Sequence, residues 1–401
     1  MLSVSEGLAR VSRCLRPVPG AGNASVWDVA GSVLADDVRA PADYPPVPKA
    51  EYDGYALRSA ETPGEFRISG SAPVGAIAPE VGPREVLYVT TGAYLPGDLD
   101  AVVPQEDAEI IMRDGSEYLR VERRVERWSY VDPPGYHVRS GDPILRGGRI
   151  LTYLDVVALA SVGIDYVPVR RRVRVSVLSV GSELSIDRMT APSELIRGGA
   201  VPESNSMLLR WYLGARAPFA ELVSSGAVRD DPGAIGREAG RALEGSDVLV
   251  TFGGSGPSSV DFTRRLMDSA DCSAGDFRMK PGKPAKLAAN DGRLIAILPG
   301  HPLAALHAMT RLLDPLIHLI AGSGDRPWPS RAAVLEEELP ERRIGFSQQY
   351  LVKLERGDVA SIVYRHGTGV TSKLAGVDGL LNLDEDEAPG PGDRVDVALI
   401  R

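Results

Sequence analysis

Cysteine is scarce in this chain of 401 residues, which contains two, Cys14 and Cys272. The two lie far apart and in no spacing typical of metal ligands, which argues against a zinc cluster and against a disulfide-rich scaffold. We interpret both as thiols in a reducing cytoplasm. Histidine is scarce as well, with five residues. His301 and His307 have no cysteine or acidic partner at zinc spacing, so the sequence does not predict a zinc site.

An excess of positive charge and long apolar runs are also lacking. The formal net charge is -9, which argues against a protein that binds nucleic acid by electrostatic attraction. No stretch of about 18 consecutive apolar residues occurs, and the N-terminal residues lack the continuous apolar segment of a signal peptide. We therefore expect a soluble, cytoplasmic protein that binds neither nucleic acid nor a membrane. The length of the chain predicts about two to four domains.

The stretch around which the sequence is organised is DVLVTFGGSGPSSVDF, residues 247–262. An apolar run breaks into Gly253, Gly254 and Gly256, and Asp261 then opens a segment in which apolar residues recur at helical spacing. This pattern predicts a strand, a glycine-rich turn and a helix. Free N–H groups in such a turn and at the helix N-terminus attract a phosphate or a similar oxyanion. Taken alone, such a stretch is more often a plain structural turn.

The spacing of apolar residues divides the chain into regions. Residues 3–16 predict an amphipathic helix, and residues 64–131 contain short apolar runs between turns, typical of a small β domain. Between residues 173 and 322, strands alternate with helices, which predicts an α/β domain with a largely parallel sheet. Short alternating runs return from residue 332 onwards and predict a second β domain. The predicted fold class is therefore a multi-domain α/β protein.

Polar and turn-forming residues follow four predicted strands of the α/β region. Such positions matter because ligands of open α/β sheets bind at the carboxyl ends of the strands. One of these strands is predicted at residues 276–279, directly before KPGKP at residues 280–284. The residues that share this position are Glu183, Gly253, Gly254, Ser255, Asp261, Lys280, Lys283, Pro299 and Pro302.

Two lysines and two carboxylates at the carboxyl ends of the predicted strands indicate which kind of ligand would bind there. Lys280 and Lys283 lie within one turn stiffened by proline, and two fixed cations suit a phosphoanhydride or a tetrahedral oxyanion. Glu183 and Asp261 are the carboxylates best placed for Mg²⁺, which binds through one or two carboxylates together with substrate phosphates. Asp261 is equally consistent with a helix N-cap, and Lys286, just after the turn, with an exposed surface residue.

Several motifs, in their order along the chain, resemble the molybdopterin molybdenumtransferase family, whose animal member is the E domain of gephyrin. They are PPVPKAEYDGYALR at residues 45–58, TTGAYLPGDLDAVVPQED at 90–107, LASVGIDYVPVRRRVRVSVLSVGSEL at 159–184, the glycine-rich stretch, MKPGKP at 279–284 and LPGHP at 298–302. DGYA, TGA followed by VxxQED, and KPGKP are highly specific to the family. The resemblance covers essentially the whole chain.

The resemblance implies a subunit of several parts. An N-terminal helix (1–20) packs on the α/β domain, a linking domain comprises 21–40 and 136–170, and a β-rich domain is inserted at 41–135. An α/β molybdopterin-binding domain similar to the molybdopterin adenylyltransferases follows at 171–323, and a C-terminal β-barrel at 326–401. The resemblance also implies a homodimer whose active site lies between the α/β domain of one subunit and the inserted domain of the other.

The implied reaction is insertion of molybdate or tungstate into adenylylated molybdopterin, with Mg²⁺-dependent release of AMP. The adenylyltransferase of the same pathway is an expected partner. Asp53 and Thr91 would be contributed by the partner subunit, and Glu183 and Asp261 would bind Mg²⁺. The matched catalytic and substrate-binding positions are Asp53, Thr91, Glu183, Asp261, Gly253, Gly254, Ser255, Lys280, Lys283, Pro299, Pro302 and Ser372.

Two other functions remain open at this point. A non-catalytic scaffold is consistent with the likeness to gephyrin, and the α/β domain is also consistent with adenylyl transfer. The carboxylates and both lysines favour the enzyme over the scaffold, and the presence of two β domains favours it over a single-domain adenylyltransferase. The sequence departs from the family pattern in the glycine-rich turn, where Pro257 removes one backbone donor.

Overall fold

The computed structural model describes residues 1–75, 79–96, 98–185, 192–254, 260–324, 328–356, 358–363 and 374–400. The chain begins with helix α1 (Val4–Ser12), shorter than the predicted 3–16. A capping box starts it, because the Ser3 hydroxyl accepts a hydrogen bond from the Glu6 N–H and the Glu6 carboxylate accepts one from the Ser3 N–H. Its apolar face packs into the core of the α/β sheet.

Two short strands follow the first helix, β1 (Ala21–Ser25) and β2 (Val38–Arg39). The chain then enters a β-rich region, in which the predicted short runs form strands. They are β3 (Lys49–Ala50), β4 (Gly54–Leu57), β5 (Gly64–Ala72), β6 (Glu85–Val89), β7 (Ala101–Pro104), β8 (Glu109–Arg113), β9 (Ser116–Val121) and β10 (Val131–Asp132). Six of them form one sheet in the order β7-β4-β6-β5-β9-β8, and β3 pairs with β10.

The chain returns from this sheet through β11 (Pro143–Leu145), helix α2 (Tyr153–Ser161) and β12 (Tyr166–Arg170). Strand β12 pairs antiparallel with β1, and β11 with β2. The two separate segments therefore share one hydrophobic core, which contains Val29, Leu34, Leu159 and Val167. Helix α2 begins with a second capping box between Thr152 and Asp155.

The α/β region follows with alternating strands and helices. They are β13 (Val173–Val180), β14 (Leu184–Ser185), α3 (Pro192–Arg197), β15 (Val201–Pro202), α4 (Asn205–Arg216), β16 (Ala220–Val228), α5 (Pro232–Glu244), β17 (Val248–Phe252), α6 (Val260–Ser269), β18 (Cys272–Gly275), β19 (Met279–Lys280), β20 (Lys286–Asn290) and β21 (Arg293–Leu298). The main sheet has the order β16-β13-β17-β21-β20-β18. Its first four strands are parallel, and β20 runs antiparallel to both of its neighbours.

A long helical segment closes this region. It consists of α7 (Pro302–Ala308), a π-helical turn (Met309–Leu313) and α8 (Asp314–Ala321), and ends at Gly322 in the left-handed conformation. By length and composition the 20-residue segment could cross a membrane, but 83% of its most apolar window is buried inside the molecule. A core helix passes the same test of length and hydropathy.

The C-terminal region is a closed five-stranded barrel. Its strands are β22 (Ser330–Leu335), β23 (Ser347–Glu355), β24 (Val359–Ile362), β25 (Gly379–Leu383) and β26 (Arg394–Leu399). They pair in the cycle β23-β24-β22-β26-β25, and β25 pairs again with β23. The fold class predicted from the sequence is confirmed.

The strand predicted at residues 276–279 is wrong. Strand β18 of the main sheet ends at Gly275, and Asp276 has a φ of 54°, outside the range of a strand. Met279 and Lys280 instead pair with Ser347 and Gln348 of the barrel. Apolar spacing shows that a residue is buried, but it does not show which sheet covers it.

The interpretation of the two cysteines as free thiols is also wrong. Cys14 and Cys272 form a disulfide, with Cα atoms 5.9 Å apart and a separation of 258 positions in sequence. Leu15, next to Cys14, forms a bridge with Gly292 in the turn between β20 and β21, and the first helix contacts both β18 and β20. Tertiary packing brings the two cysteines together, so their spacing in the sequence does not predict the disulfide.

Candidate functional site

The turns that follow β13, β17 and β21 meet at one glycine. The Gly253 N–H donates a hydrogen bond to the Leu298 carbonyl at 2.9 Å. A Cβ built on Gly253 would lie 2.3 Å from the carbonyl oxygen of Val180, and one built on Gly300 would lie 3.8 Å from the Cα of Gly253. Gly253 also has a φ of 90°. No residue other than glycine fits there, so three carboxyl-end turns approach each other through their backbones.

A side chain of the following helix, α6, fixes the position of Gly254. It has a φ of 76°, and its carbonyl accepts a hydrogen bond from the buried Thr263 hydroxyl at 2.7 Å. The predicted order of strand, turn and helix is therefore present, with β17 before the turn and α6 after it. Ser255 and Pro257 lie outside the described residues, as does the side chain of Asp261.

The turn that carries Glu183 is fixed by the turn after β16. The Ser182 N–H donates to a carboxylate oxygen of Asp230 at 3.0 Å, and the Asp230 N–H donates to the Ser182 hydroxyl at 3.1 Å. Glu183 is exposed, and its carboxylate lies over Gly181, where an added Cβ would be 2.7 Å from Oε1. Sequence analysis missed Asp230, although it also follows a strand of the parallel sheet.

The KPGKP turn lies between the α/β sheet and the barrel. Lys280 forms an ion pair with Glu341 of the barrel region at 2.9 Å, and Lys286 forms one with Asp276 at 3.3 Å. Lys283 is exposed and has no ion-pair partner among the described residues. Of the two lysines predicted to bind substrate, Lys283 is thus the one whose ammonium group is available to an anion.

A histidine that the sequence did not single out for function anchors this turn. His307 of α7 is completely buried, and its Nδ1 lies 2.6 Å from the Pro281 carbonyl oxygen. Its Nε2 lies 3.3 Å from the Ser347 hydroxyl. Burial lowers the pKa of His307 to about 3, so the ring is neutral. In sequence, His307 sits in an apolar helical stripe and gives no signal of this role.

The PGHP turn is held by a buried amide. The Asn205 side chain donates a hydrogen bond from Nδ2 to the Gly300 carbonyl at 2.7 Å, across 95 residues of sequence. Pro299 is buried, and Pro302 is the first residue of α7, where proline is favoured because its missing N–H would have no helical partner. Asn205 was not anticipated, and only its position at the start of a helix is visible in the sequence.

Asp53 and Thr91 form a pair of their own. The Thr91 N–H and hydroxyl both donate to Oδ1 of Asp53, at 2.6 and 2.8 Å. These two hydrogen bonds lower the pKa of the Asp53 carboxyl, because they stabilise its charged form. The pair lies beside the core of the β-rich region, whereas Glu183 follows β13 of the α/β sheet. The structure therefore brings Asp53 and Thr91 together and places Glu183 in a different region of the chain.

The described residues hold no cluster of three histidine, cysteine or acidic side chains suited to a metal. Glu183, exposed and without an ion pair among the described residues, fits an oxygen ligand for a hard cation such as Mg²⁺. Its predicted partner Asp261 has no described side chain, and Ser372 lies outside the described residues.

Comparison with known proteins decides the family. The sequence matches the MoeA N-terminal region (domain I and II) over residues 2–163 and the probable molybdopterin binding domain over residues 176–319. The chain belongs to the MoeA family. It is 28% identical over 407 residues to molybdopterin molybdenumtransferase 2 of Mycobacterium tuberculosis, with 96% of each chain covered. Both results confirm the resemblance seen in the motifs.

Other MoeA proteins support the same assignment. The molybdopterin molybdenumtransferase of Haemophilus influenzae is 26% identical over 348 residues, which cover 84% of this chain and 82% of that protein. The crystal structure of a molybdopterin biosynthesis moeA protein from Pyrococcus horikoshii OT3 matches with a TM-score of 0.83 at 23% identity, covering 100% of both chains. This likeness shows that the fold is that of MoeA proteins. The names of the curated relatives describe a transferase.

Proposed function

We propose that this MoeA protein is a molybdopterin molybdenumtransferase, which inserts molybdate or tungstate into adenylylated molybdopterin and releases AMP. The observation that carries the proposal is the contact of three carboxyl-end turns at Gly253. Exposed Lys283 lies in the segment between β18 and β20, and this segment leaves the sheet at the same edge because β18 is parallel to β21. Backbone donors and a cation at one sheet edge suit a phosphoanhydride and an oxyanion.

Mg²⁺ is part of the proposal. Glu183 and Asp261 would hold it, because they are the carboxylates predicted for the two turns that meet at Gly253. When bound, the ion would neutralise charge on the phosphate oxygens. The chain itself contributes the glycine-rich turn that binds the phosphates and Lys283, which attracts the oxyanion. Molybdate and tungstate offer the same oxygen atoms to these groups.

We also propose a homodimer. Five apolar and aromatic side chains of the linking segments are unusually exposed: Trp27 (82%), Tyr153 (73%), Tyr166 (67%), Leu154 (64%) and Val157 (61%). The elements that carry them are neighbours, since Tyr166 pairs with Ser25 beside Trp27 and the turn at Trp27 contacts α2. We call this surface the α2 face.

The area of the α2 face suits a second copy of the chain. The five side chains expose on the order of 700 Å², more than the largest apolar patch of most monomers and close to the about 800 Å² that one partner contributes to a standard interface. A homodimer would let Asp53 and Thr91 of one subunit complete the site that contains Glu183 of the other. We propose that this dimer acts in the cytoplasm, where the adenylyltransferase of the pathway supplies its substrate.

The test of the reaction is release of AMP. Purified protein with adenylylated molybdopterin, Mg²⁺ and either molybdate or tungstate should release AMP, and Glu183→Gln and Asp261→Ala should each abolish release. Lys353→Gln, which changes an exposed lysine of barrel strand β23, is the matched control and should retain activity. Absence of AMP release by the wild type with both oxyanions would overturn the enzyme assignment and favour a scaffold.

A further inference from the structure

A groove opens at the β18 edge of the α/β sheet, beside the turns of the candidate site. It lies between α1, α6 and β18 and has a volume of about 590 Å³. This volume is within the range of small-molecule sites, which is roughly 300–1,000 Å³. The charged and large apolar side chains that line it are those of Leu2, Arg10, Arg264, Met267, Asp276 and Lys286. None of these residues was among the predicted site residues.

The rim of the groove is positively charged in a protein with a net charge of -9. Arg10 has no ion-pair partner among the described residues. Arg264 is paired with Asp268 at 3.9 Å, but both side chains are more than 70% exposed, so water screens that pair. Lys286 uses one of its three donors on Asp276, at 3.3 Å. Three cations and one carboxylate therefore line the groove.

The position of the Lys286 ammonium group is set by a glycine. A Cβ on Gly275 would lie 3.1 Å from Cγ of Lys286 and 3.6 Å from its Nζ. The lysine side chain thus lies across Gly275, and it remains only 20% exposed. The floor beside it is apolar, formed by Leu2, Met267 and Ala274. A ligand of this groove would need an anionic end for the rim and a carbon group for the floor.

We propose that the groove binds a small organic phosphate, with its phosphate on Arg10, Arg264 and Lys286 and its carbon portion on Leu2 and Met267. A phosphomonoester carries up to two negative charges and three acceptor oxygens, which match two guanidinium groups and an ammonium better than one carboxylate would. A nucleotide and a sugar phosphate share this chemistry.

The groove has a direct connection to the glycine-rich turn. Thr263 lines the groove, is 4% exposed, and donates its hydroxyl hydrogen to the Gly254 carbonyl at 2.7 Å. A ligand in the groove therefore packs against the residue that holds Gly254 in place. Occupation of the groove should restrain this turn, so the organic phosphate would act on the candidate site without entering it.

The test is calorimetric titration of the full-length protein with AMP, ribose 5-phosphate and inorganic phosphate. We expect at least one organic phosphate to bind more tightly than inorganic phosphate. The Arg10→Gln/Arg264→Gln variant should lower its affinity by about tenfold or more, because charged hydrogen bonds are lost. Lys286→Met should also lower the affinity, and it serves as the test if the double variant does not fold. The preferred compound identifies the source of the phosphate.

Two control variants test whether binding depends on the cations of the groove or on lysines elsewhere. Lys353→Gln, on the barrel, should leave the affinity of either organic phosphate unchanged, and Lys283→Gln, in the KPGKP turn, should leave the affinity of ribose 5-phosphate unchanged. The proposal is overturned if the wild type binds neither organic phosphate, if inorganic phosphate binds as tightly, or if Lys283→Gln removes binding and the groove variants do not. Because binding is measured without turnover, failure of AMP release would leave this result unaffected.

Discussion

Nδ1 of His307 lies 2.6 Å from the carbonyl oxygen of Pro281, the second residue of the KPGKP turn. A carbonyl oxygen can only accept, so Nδ1 carries the hydrogen and Nε2 accepts from the Ser347 hydroxyl. One neutral ring thus connects helix α7, the lysine turn and the first residue of barrel strand β23. The position of the turn that carries Lys280 and Lys283 therefore depends on a ring that is hydrogen-bonded to the backbone between them.

Acid should destabilise the protein through His307. Its folded pKa is about 3, below the ordinary value of 6.5, so the unfolded chain binds the proton first. The stability due to the neutral ring is complete above pH 6.5 and is lost as the pH falls towards 3. Between pH 7 and pH 5 we expect a loss of about 2 kcal/mol. Urea unfolding at the two pH values measures it.

His307→Gln keeps a donor for the Pro281 carbonyl and should remove this part of the pH dependence. His301→Gln, which changes an exposed histidine, should leave it intact. Equal pH dependence of the wild type and His307→Gln would show that His307 is not held neutral.

A mixture of two inactive variants should regain activity if the site lies between subunits. Asp53→Asn retains an oxygen that can accept both hydrogen bonds from Thr91, so it removes the charge and keeps the turn. Glu183→Gln removes the other carboxylate. Subunits mixed in equal amounts and allowed to exchange should recover about a quarter of wild-type AMP release, because half the dimers have one intact site.

The control for this mixture is Asp114→Asn, an exposed turn residue of the β-rich region, which should be fully active. A site built within one subunit predicts no recovery. Since each variant is inactive alone, recovery cannot come from residual activity of either parent.

The α2 face should determine the oligomeric state. Leu154→Asp and Val157→Asp place a charge on exposed side chains, so they should leave the monomer folded and dissociate the dimer. Light scattering after gel filtration measures the mass. Ile344→Asp changes a side chain of similar exposure, 60%, in the barrel region and should leave the mass unchanged. A dimer that survives both α2 variants would require another interface.

Reduction of Cys14–Cys272 should lower the thermal stability. The disulfide closes a very long loop, and a native disulfide of this kind contributes about 2–4 kcal/mol, or about 5 °C or more in Tm. The Tm should fall on addition of a reductant. The Cys14→Ser/Cys272→Ser variant should start from the lower value and show no response. Two free thiols in protein alkylated without reductant would show that the bond does not form.

Local patterns were sufficient for much of the fold. Continuous apolar runs predicted β13, β17 and β21, because both faces of these strands are buried. Helical spacing predicted the helices between them, because burial of one face imposes a period on a helix. Gly322 ends the last helix of this region in the left-handed conformation, which glycine adopts most readily. The glycine-rich turn followed from the same reasoning, since an apolar strand that ends in glycines must turn sharply. The roles of the site residues remain predictions.

The sequence by itself determined the order of strands and helices, the family motifs and the glycine-rich turn, because these depend on neighbours along the chain. Tertiary structure alone decided that β19 joins the barrel and that Cys14 reaches Cys272. It also decided that Asp230 holds the turn after β13, Asn205 the PGHP turn and His307 the KPGKP turn. Each of these contacts spans many residues of sequence. Long-range hydrogen bonds and strand pairings impose no periodicity on the sequence. Their partners come together only when the helices and strands pack.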